Sequence, residues 1–351
     1  MSLKIIHCAI FNEYDNGNFF YGMERKISHG LIQNGHFVYD FSYRDWERSL
    51  RFCNIKNSGL KKMNEKLIEI CINIKPDLLL MGKAEKITTN TIEKIKKKLP
   101  GLKVAQWYVD HLQEIPQFFE NLKEIEVFFY PNAINLEELS KIYHNTKFAF
   151  IPNISDSTLD KKYDLRKETD IIYIARDYKE DIRYKFATLL DKFCKENNIK
   201  CKIYASLGNK PVFGDDFFQE IAKAKIAINF NRDDKLEADH SNKFLGASDR
   251  MAQFMGAGIC TFSPRINGFE RFFEDGKEIV YFDNPNDCFN KIKDYLTNDK
   301  FIEIAQRGRG KALEIANAKR VSKFMIETIY NKSFSENYEW KDIIYKNGET
   351  V

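Results

Sequence analysis

The sequence lacks the short motifs that mark most nucleotide and hydrolase chemistry. No G-x-G-x-x-G follows the first apolar run, and no G-x-x-x-x-G-K-[ST] is present, so a standard dinucleotide fingerprint and a P-loop are both absent. H-E-x-x-H and G-x-S-x-G are missing too, which argues against a zinc protease and an α/β-hydrolase. The seven cysteines are scattered and include no C-x-x-C pair, so neither a disulfide framework nor a zinc site is indicated. Cys8 and Cys260 lie in apolar runs, where a free thiol behaves as a small hydrophobe, and such usage suits the reducing cytoplasm. Charge of one sign is also lacking. The chain holds 55 basic and 51 acidic residues, a formal net charge of +4, without the basic stripe of a nucleic-acid binder. Apolar runs such as Leu78–Met81 are far short of a membrane span, and the first residues show no signal-peptide pattern. The expectation is a soluble cytoplasmic protein, with at most peripheral contact at the inner face of an anionic membrane.

What is there is an alternation of short apolar runs with longer amphipathic ones over 351 residues, enough for two cores. Leu3–Phe11 reads as a strand, Met23–Asn34 as a helix stopped by Gly35, and His36–Phe41 as a second strand. The pattern continues through Lys61–Ile74, Asp77–Met81, Thr89–Leu99, Lys103–Val109, Val127–Tyr130 and Phe148–Ile151. It then fails across a polar stretch that opens on Pro152-Asn153, and restarts at Asp170–Ala175. Four segments are expected: a domain over 1–155, a linker over 156–169, a domain over 170–333, and a tail over 334–351 that packs back on the first domain. Two doubly wound α/β domains facing one another would leave a cleft at the carboxyl ends of their strands, where open sheets bind ligands.

The most informative segment runs from Asn242 to Phe262. Ser248 or Ala247 begins a helix that Gly258 ends before a buried strand, with Met251, Phe254 and Met255 on its core face. Arg250 and Gln253 are three apart and share another face near the helix start. Unpaired N–H groups and the positive dipole end there suit a diphosphate, and a guanidinium beside them adds charge-assisted hydrogen bonds. An ordinary α/β helix with a surface arginine is the competing reading. In the first half, Asp110 ends an apolar strand and precedes His111. It is placed either to act as a base or to cap the next helix. His7, flanked by apolar residues, reads as a packed core histidine, and Asn12, Gly17 and Asn18 lie in the first β–α loop, an acceptor-side surface.

Ser248-x-Arg250-x-x-Gln253 with Gly256 and Gly258, followed by Gly268-Phe269-Glu270-Arg271 and Gly276-Lys277-Glu278-Ile279, resembles the C-terminal domain of group-1 GT-B glycosyltransferases. The nearest branch is the CgeB-like, spore maturation type. Asp170–Arg176, Ile226–Asn231 and Gln106-Trp107-Tyr108-Val109-Asp110 resemble that family's strand ends. The resemblance implies a GT-B architecture of two Rossmann-like domains. It also implies transfer of a sugar from a nucleotide-sugar donor to a glycan, lipid-linked saccharide or protein acceptor, with no obligatory metal or cofactor. It places Arg176, Lys243, Arg250 and Arg183 at the leaving diphosphate, and Asn229, Asn231 and Ser248 at donor groups. Gly268 and Phe269 would stand close to the sugar, and Asp110 with His111 would act on the acceptor. An inverting mechanism needs such a base, whereas a retaining one does not. The family usually carries Glu where this chain has Gln253, a carboxylate that relatives place on the donor ribose. A neutral amide there keeps two alternatives open, a catalytically silent nucleotide-sugar-binding or assembly protein and a sugar-nucleotide epimerase of similar fold.

Overall fold

A computed structural model describes residues 2–110, 112, 120–179, 181–232, 234–236 and 244–351. The chain divides into two units. The first comprises Met1–Pro152 with Ala318–Val351, and the second Asn153–Asn317. Among the described residues no helix is long and apolar enough to cross a membrane.

In the first unit, β1 (Lys4–Ala9), β2 (Phe37–Ser42), β3 (Leu78–Gly82), β4 (Lys103–Trp107), β5 (Val127–Tyr130) and β6 (Lys147–Phe150) are parallel. The central strands are buried on both faces, so they read as unbroken apolar runs rather than alternating ones. The sheet order places β1 between β2 and β3, with β4, β5 and β6 following in turn. The winding therefore reverses between β1 and β3, and the carboxyl ends of those two strands flank the switch point.

The first unit is completed from the far end of the chain. The helical pattern after Phe301 is two helices, Phe301–Ile315 and Ala318–Ile329, and the break between them is the boundary between units. Ala318–Ile329, expected within the 170–333 domain, packs instead on the helix Met23–Gln33. Gly30 permits this approach, since a Cβ there would lie 2.0 Å from the Ala318 carbonyl oxygen. The Asn34 amide donates to the Lys319 carbonyl (2.8 Å), and the Tyr330 hydroxyl donates to that of Asp77 (3.0 Å). Beyond it, Tyr338 and Trp340 are buried beside Phe324, with the Arg320 guanidinium 5.0 and 5.2 Å from their ring centres. The tail then adds β12 (Ile344–Lys346), antiparallel to β6, and β13 (Glu349–Thr350).

The second unit holds a parallel sheet, β11 (Val280–Phe282), β10 (Cys260–Pro264), β9 (Ala224–Ile228), β7 (Thr169–Ile174) and β8 (Cys201–Tyr204), in that order. Here the winding reverses between β7 and β9. Ile171, Tyr173, Ile226, Ile228 and Phe262 fill its core, where Phe186 stacks on Phe230 at 4.4 Å. The stretch expected as a linker, 156–169, is partly built into this unit. Lys167 Nζ donates to the Ala222 carbonyl (2.9 Å), and a Cβ on Gly256 would lie 2.7 Å from a carboxylate oxygen of the buried Asp160. A polar composition hid these contacts, because its side chains serve as turn and helix anchors rather than as solvated spacer.

Candidate functional site

Beyond β9 the chain continues as Asn229, Phe230 and Asn231, level with the start of the helix Asp249–Ala257. Ser248 is extended and caps that helix, its hydroxyl oxygen accepting from the Met251 N–H (3.4 Å). The same hydroxyl donates to Asn229 Oδ1 (2.7 Å), and Asn229 Nδ2 donates to the Ser263 hydroxyl (3.3 Å). Asn229 is fully buried, so its side chain is spent clamping the helix start over the ends of β9 and β10. Gly258, left-handed at φ 79°, ends the helix. Asn231 donates its backbone N–H to the Asp234 carboxylate, while its own Oδ1 is buried and meets no hydrogen-bond partner among the described residues.

Two arginines come together at this point. Arg250, in the first turn of the helix, makes one long hydrogen bond to the Phe230 carbonyl (3.4 Å). Arg183, in the first turn of the helix Ile182–Glu196, donates to the Asp181 carboxylate from Nε (3.2 Å) and from a terminal nitrogen (2.8 Å). Asp181 also caps that helix through the Arg183 N–H, and these bonds hold its carboxyl below the usual range despite burial. Burial lowers the pKa of Arg250, and the charge of Arg183 adds to that while Tyr173, Asp249 and Asp234 oppose it. The charge of Arg183 reaches Arg250 at this helix start, although Asp181 pairs with Arg183 and Asp249 and Asp234 offset Arg250, and the helix N-terminus adds its own preference for an anion. Asp177, hydrogen-bonded to Ser206, lies after β7, where burial raises its pKa and Ser206 and Arg183 oppose the rise.

The other expected donor residues are placed less uniformly. Arg176 follows β7 by two residues and is exposed. Gln253 is buried on the helix, its amide nitrogen 3.5 Å from the Asp249 carboxylate. Gly268 is left-handed (φ 80°), and a Cβ there would lie 2.5 Å from the Phe244 ring, so only glycine fits. Phe269 is expected near the sugar through its backbone, beside Gly268, and its ring lies elsewhere. Its ring is buried, 5.3 Å from Phe272 and 5.8 Å from Phe273, which makes it core. Lys243 lies outside the described residues.

In the first unit, Asn12 is left-handed at the end of β1, Gly17 has open space around it, and Asn18 is exposed. Beside this loop a cavity of about 390 Å³ is lined by Glu13, Tyr14, Asp40, Ser42, Asp45, Trp46 and Ser49. Asp110 is just beyond β4. Its carboxylate accepts from Lys83 Nζ (2.6 Å) and its carbonyl from the Tyr130 hydroxyl (3.1 Å). His111 lies outside the described residues. His7 is buried within a chain of hydrogen bonds. Trp107 Nε1–H donates to His7 Nε2 (2.9 Å), which leaves the proton on Nδ1 for the Ser28 hydroxyl (2.8 Å), and Ser28 donates to Asp40 (2.6 Å). Burial, with the charge of Arg25, lowers the His7 pKa to about 3.

Sequence reasoning missed the pairing of Asp181 with Arg183 and the cavity residues, whereas Asp234 reads from sequence as a loop or cap residue and accepts from the Asn231 N–H. Asp181, one residue before a helical pattern, carried a readable capping signal. The cavity gathers side chains from a loop, a strand and the polar helix Tyr43–Ser49, and no local spacing reports that.

Residues 183–326 match the family model described as glycosyl transferase-like, a match that covers less than half of the chain. Solved structures then settle the architecture. Sucrose-phosphate synthase of Thermosynechococcus elongatus superposes with a TM-score of 0.55 at 11% identity, over 93% of this chain and 98% of that one. HepE of Anabaena in complex with UDP-glucose gives 0.58 at 11%, over 94% and 100%. The chain has the GT-B fold, and its residues 183–326 are similar to the glycosyl transferase-like family. AviGT4, a glycosyltransferase of avilamycin A biosynthesis, gives 0.58 at 11% identity, over 94% of this chain and 97% of its own. Among curated proteins no sequence matches the chain.

Proposed function

We propose that the protein transfers a sugar from a nucleoside-diphosphate sugar, with the donor's diphosphate held at the start of the helix Asp249–Ala257. The observation that carries this reading is the pairing of Arg250 with Arg183 at that helix start, beside the β7/β9 switch point. As the bond from the anomeric carbon to the diphosphate breaks, negative charge grows on the leaving oxygen. Fixed guanidiniums and backbone N–H groups stabilise that charge without reorganising, so the reading requires no metal. Asn231 Oδ1, which meets no donor among the described residues, is an acceptor for a ligand hydroxyl. Uridine is the first nucleotide to test, because the HepE structures hold UDP or UDP-glucose. In an inverting reaction, the acceptor oxygen attacks the anomeric carbon and its proton passes to a base. Asp110 is the candidate, after release from Lys83. The acceptor is a glycan, a lipid-linked saccharide or a protein, handled in the cytoplasm or at the inner membrane face. The CgeB-like branch is the finer assignment, supported by Ser248-x-Arg250 and the glycine-ended helix.

A second reading has one observation behind it. The buried Gln253 amide leans on Asp249, where the resembling family places a ribose-binding carboxylate, and this favours a protein that binds the donor without turning it over. A panel of nucleotide sugars separates the two by thermal stabilisation and slow release of the diphosphate. Stabilisation with release supports the transferase, and stabilisation with none in the presence of crude acceptor supports the silent binder. If no nucleotide sugar shifts the melting temperature, both fall.

A further inference from the structure

The loop between the helices Tyr43–Ser49 and Leu60–Ile74 exposes apolar side chains with no folding role. Phe52 is 69% and Ile55 58% exposed. The backbone beneath them is nonetheless ordered. Cys53, Asn54 and Asn57 are left-handed, Ile55 N–H donates to the Phe52 carbonyl (2.9 Å), and Ser58 N–H donates to that of Ile55 (3.1 Å). The Ser58 hydroxyl closes the loop, accepting from Phe52 N–H (2.9 Å) and donating to the Ile55 carbonyl (2.7 Å). Buried Gly59 packs its backbone against the Glu47 carbonyl, where a Cβ would come within 2.1 Å. The loop is thus a preformed knuckle that displays two apolar side chains to water.

Its charge has one sign. From Arg48 to Asn64 the sequence contains no carboxylate, and Lys56, Lys61 and Lys62 are exposed, Lys61 in a long, solvent-exposed pair with Glu65 (3.9 Å). Arg51 is excluded from this set because Glu47 holds it. The knuckle follows the helix after β2, and the helix after it runs back to the start of β3. It therefore stands at the carboxyl end of the sheet, as does the 390 Å³ cavity lined by Trp46 and Ser49.

We propose that the Phe52–Lys62 loop docks the protein on an anionic lipid surface, with Phe52 and Ile55 inserted at the interface and Lys56, Lys61 and Lys62 over the headgroups. Two apolar side chains are too few for a stable protein interface of about 800 Å² per partner, whereas a fluid interface accommodates any knuckle. An excess of positive charge selects anionic headgroups, and each lysine free of a carboxylate, Lys56 and Lys62, contributes about fivefold in affinity. The proposal does not depend on the sugar-transfer reading.

The test is flotation of the full chain with phosphatidylcholine vesicles, with and without phosphatidylglycerol, beside size-exclusion chromatography. Wild type floats with the anionic vesicles and not with the neutral ones. Phe52→Ser with Ile55→Ser loses about tenfold or more of that binding. The control Ile32→Ser with Phe37→Ser, at other exposed apolar positions of the same unit, binds as wild type does. Failure of wild type to float, equal binding by the loop variant, or equal binding to neutral vesicles overturns the proposal. So does a wild-type dimer that the loop variant converts to monomer, since the knuckle would then serve a second copy of the chain.

Discussion

Replacing Arg250 with glutamine isolates the charge at the helix start. Among the described residues its guanidinium makes one hydrogen bond, a 3.4 Å contact with the Phe230 carbonyl, and burial and Arg183 already disfavour its charge. Losing that charge removes repulsion as well as one weak bond, so the fold should change by less than about 1 kcal/mol. A bound diphosphate is different, because it loses a charge-assisted partner in a partly desolvated site. Such a bond is worth about 2 kcal/mol, close to a thirtyfold rise in Kd. Arg183 is a poorer probe, because its loss strands the buried Asp181 carboxylate and costs about 3 kcal/mol or more of stability. Isothermal titration with UDP or the donor found by screening reads the effect, and circular dichroism checks the fold. An Arg250→Gln protein with native melting and unchanged affinity would refute the reasoning.

Three further perturbations probe the framework. His7 stays neutral in the fold while its unfolded counterpart titrates near 6.5, so stability is full above that pH and falls as the pH drops toward 3. The loss is about 2 kcal/mol by pH 5, and His7→Gln should flatten that part of the slope. Urea unfolding followed by tryptophan fluorescence suits the measurement, because Trp46, Trp107 and Trp340 all belong to the first unit. Equal slopes for the two proteins would contradict the relay described for His7. Gly30→Ala drives a Cβ onto the Ala318 carbonyl and should lower the unfolding free energy of that unit by about 2 kcal/mol or more, and with it the urea midpoint. An unshifted midpoint would mean that the 318–329 helix is not held there. Ser248→Ala removes a helix cap and the bond to Asn229, with an expected cost of about 1–2 kcal/mol in thermal unfolding. Unchanged melting would show that the clamp does not hold the helix start.

The elements read most accurately were those whose signal is local. Val127–Tyr130 and the capped, glycine-ended helix at Asp249–Ala257 stand where apolar runs and helix punctuation place them. The helix Tyr43–Ser49 escaped notice because Y-R-D-W-E-R-S offers too few apolar positions to show a period. The 318–329 helix was assigned to the wrong neighbourhood for another reason. Its partner is Gly30, nearly three hundred residues earlier, and a close backbone approach leaves no periodic trace. At the candidate site, Ser248 and Arg250 were legible from helix-start chemistry. The use of Asn229 as a clamp and of Phe269 as core was not, because both roles depend on what other strands and loops bring beside them.

The central claim is that a diphosphate sits on the start of the helix Asp249–Ala257. Amide hydrogen exchange of the full chain, alone, with uridine and with UDP, tests it at that location. The account predicts that UDP slows exchange of the N–H groups at 249–251 and that uridine, lacking phosphates, leaves them unchanged. UDP binding that protects other segments and leaves 249–251 as fast as in the free protein would contradict it.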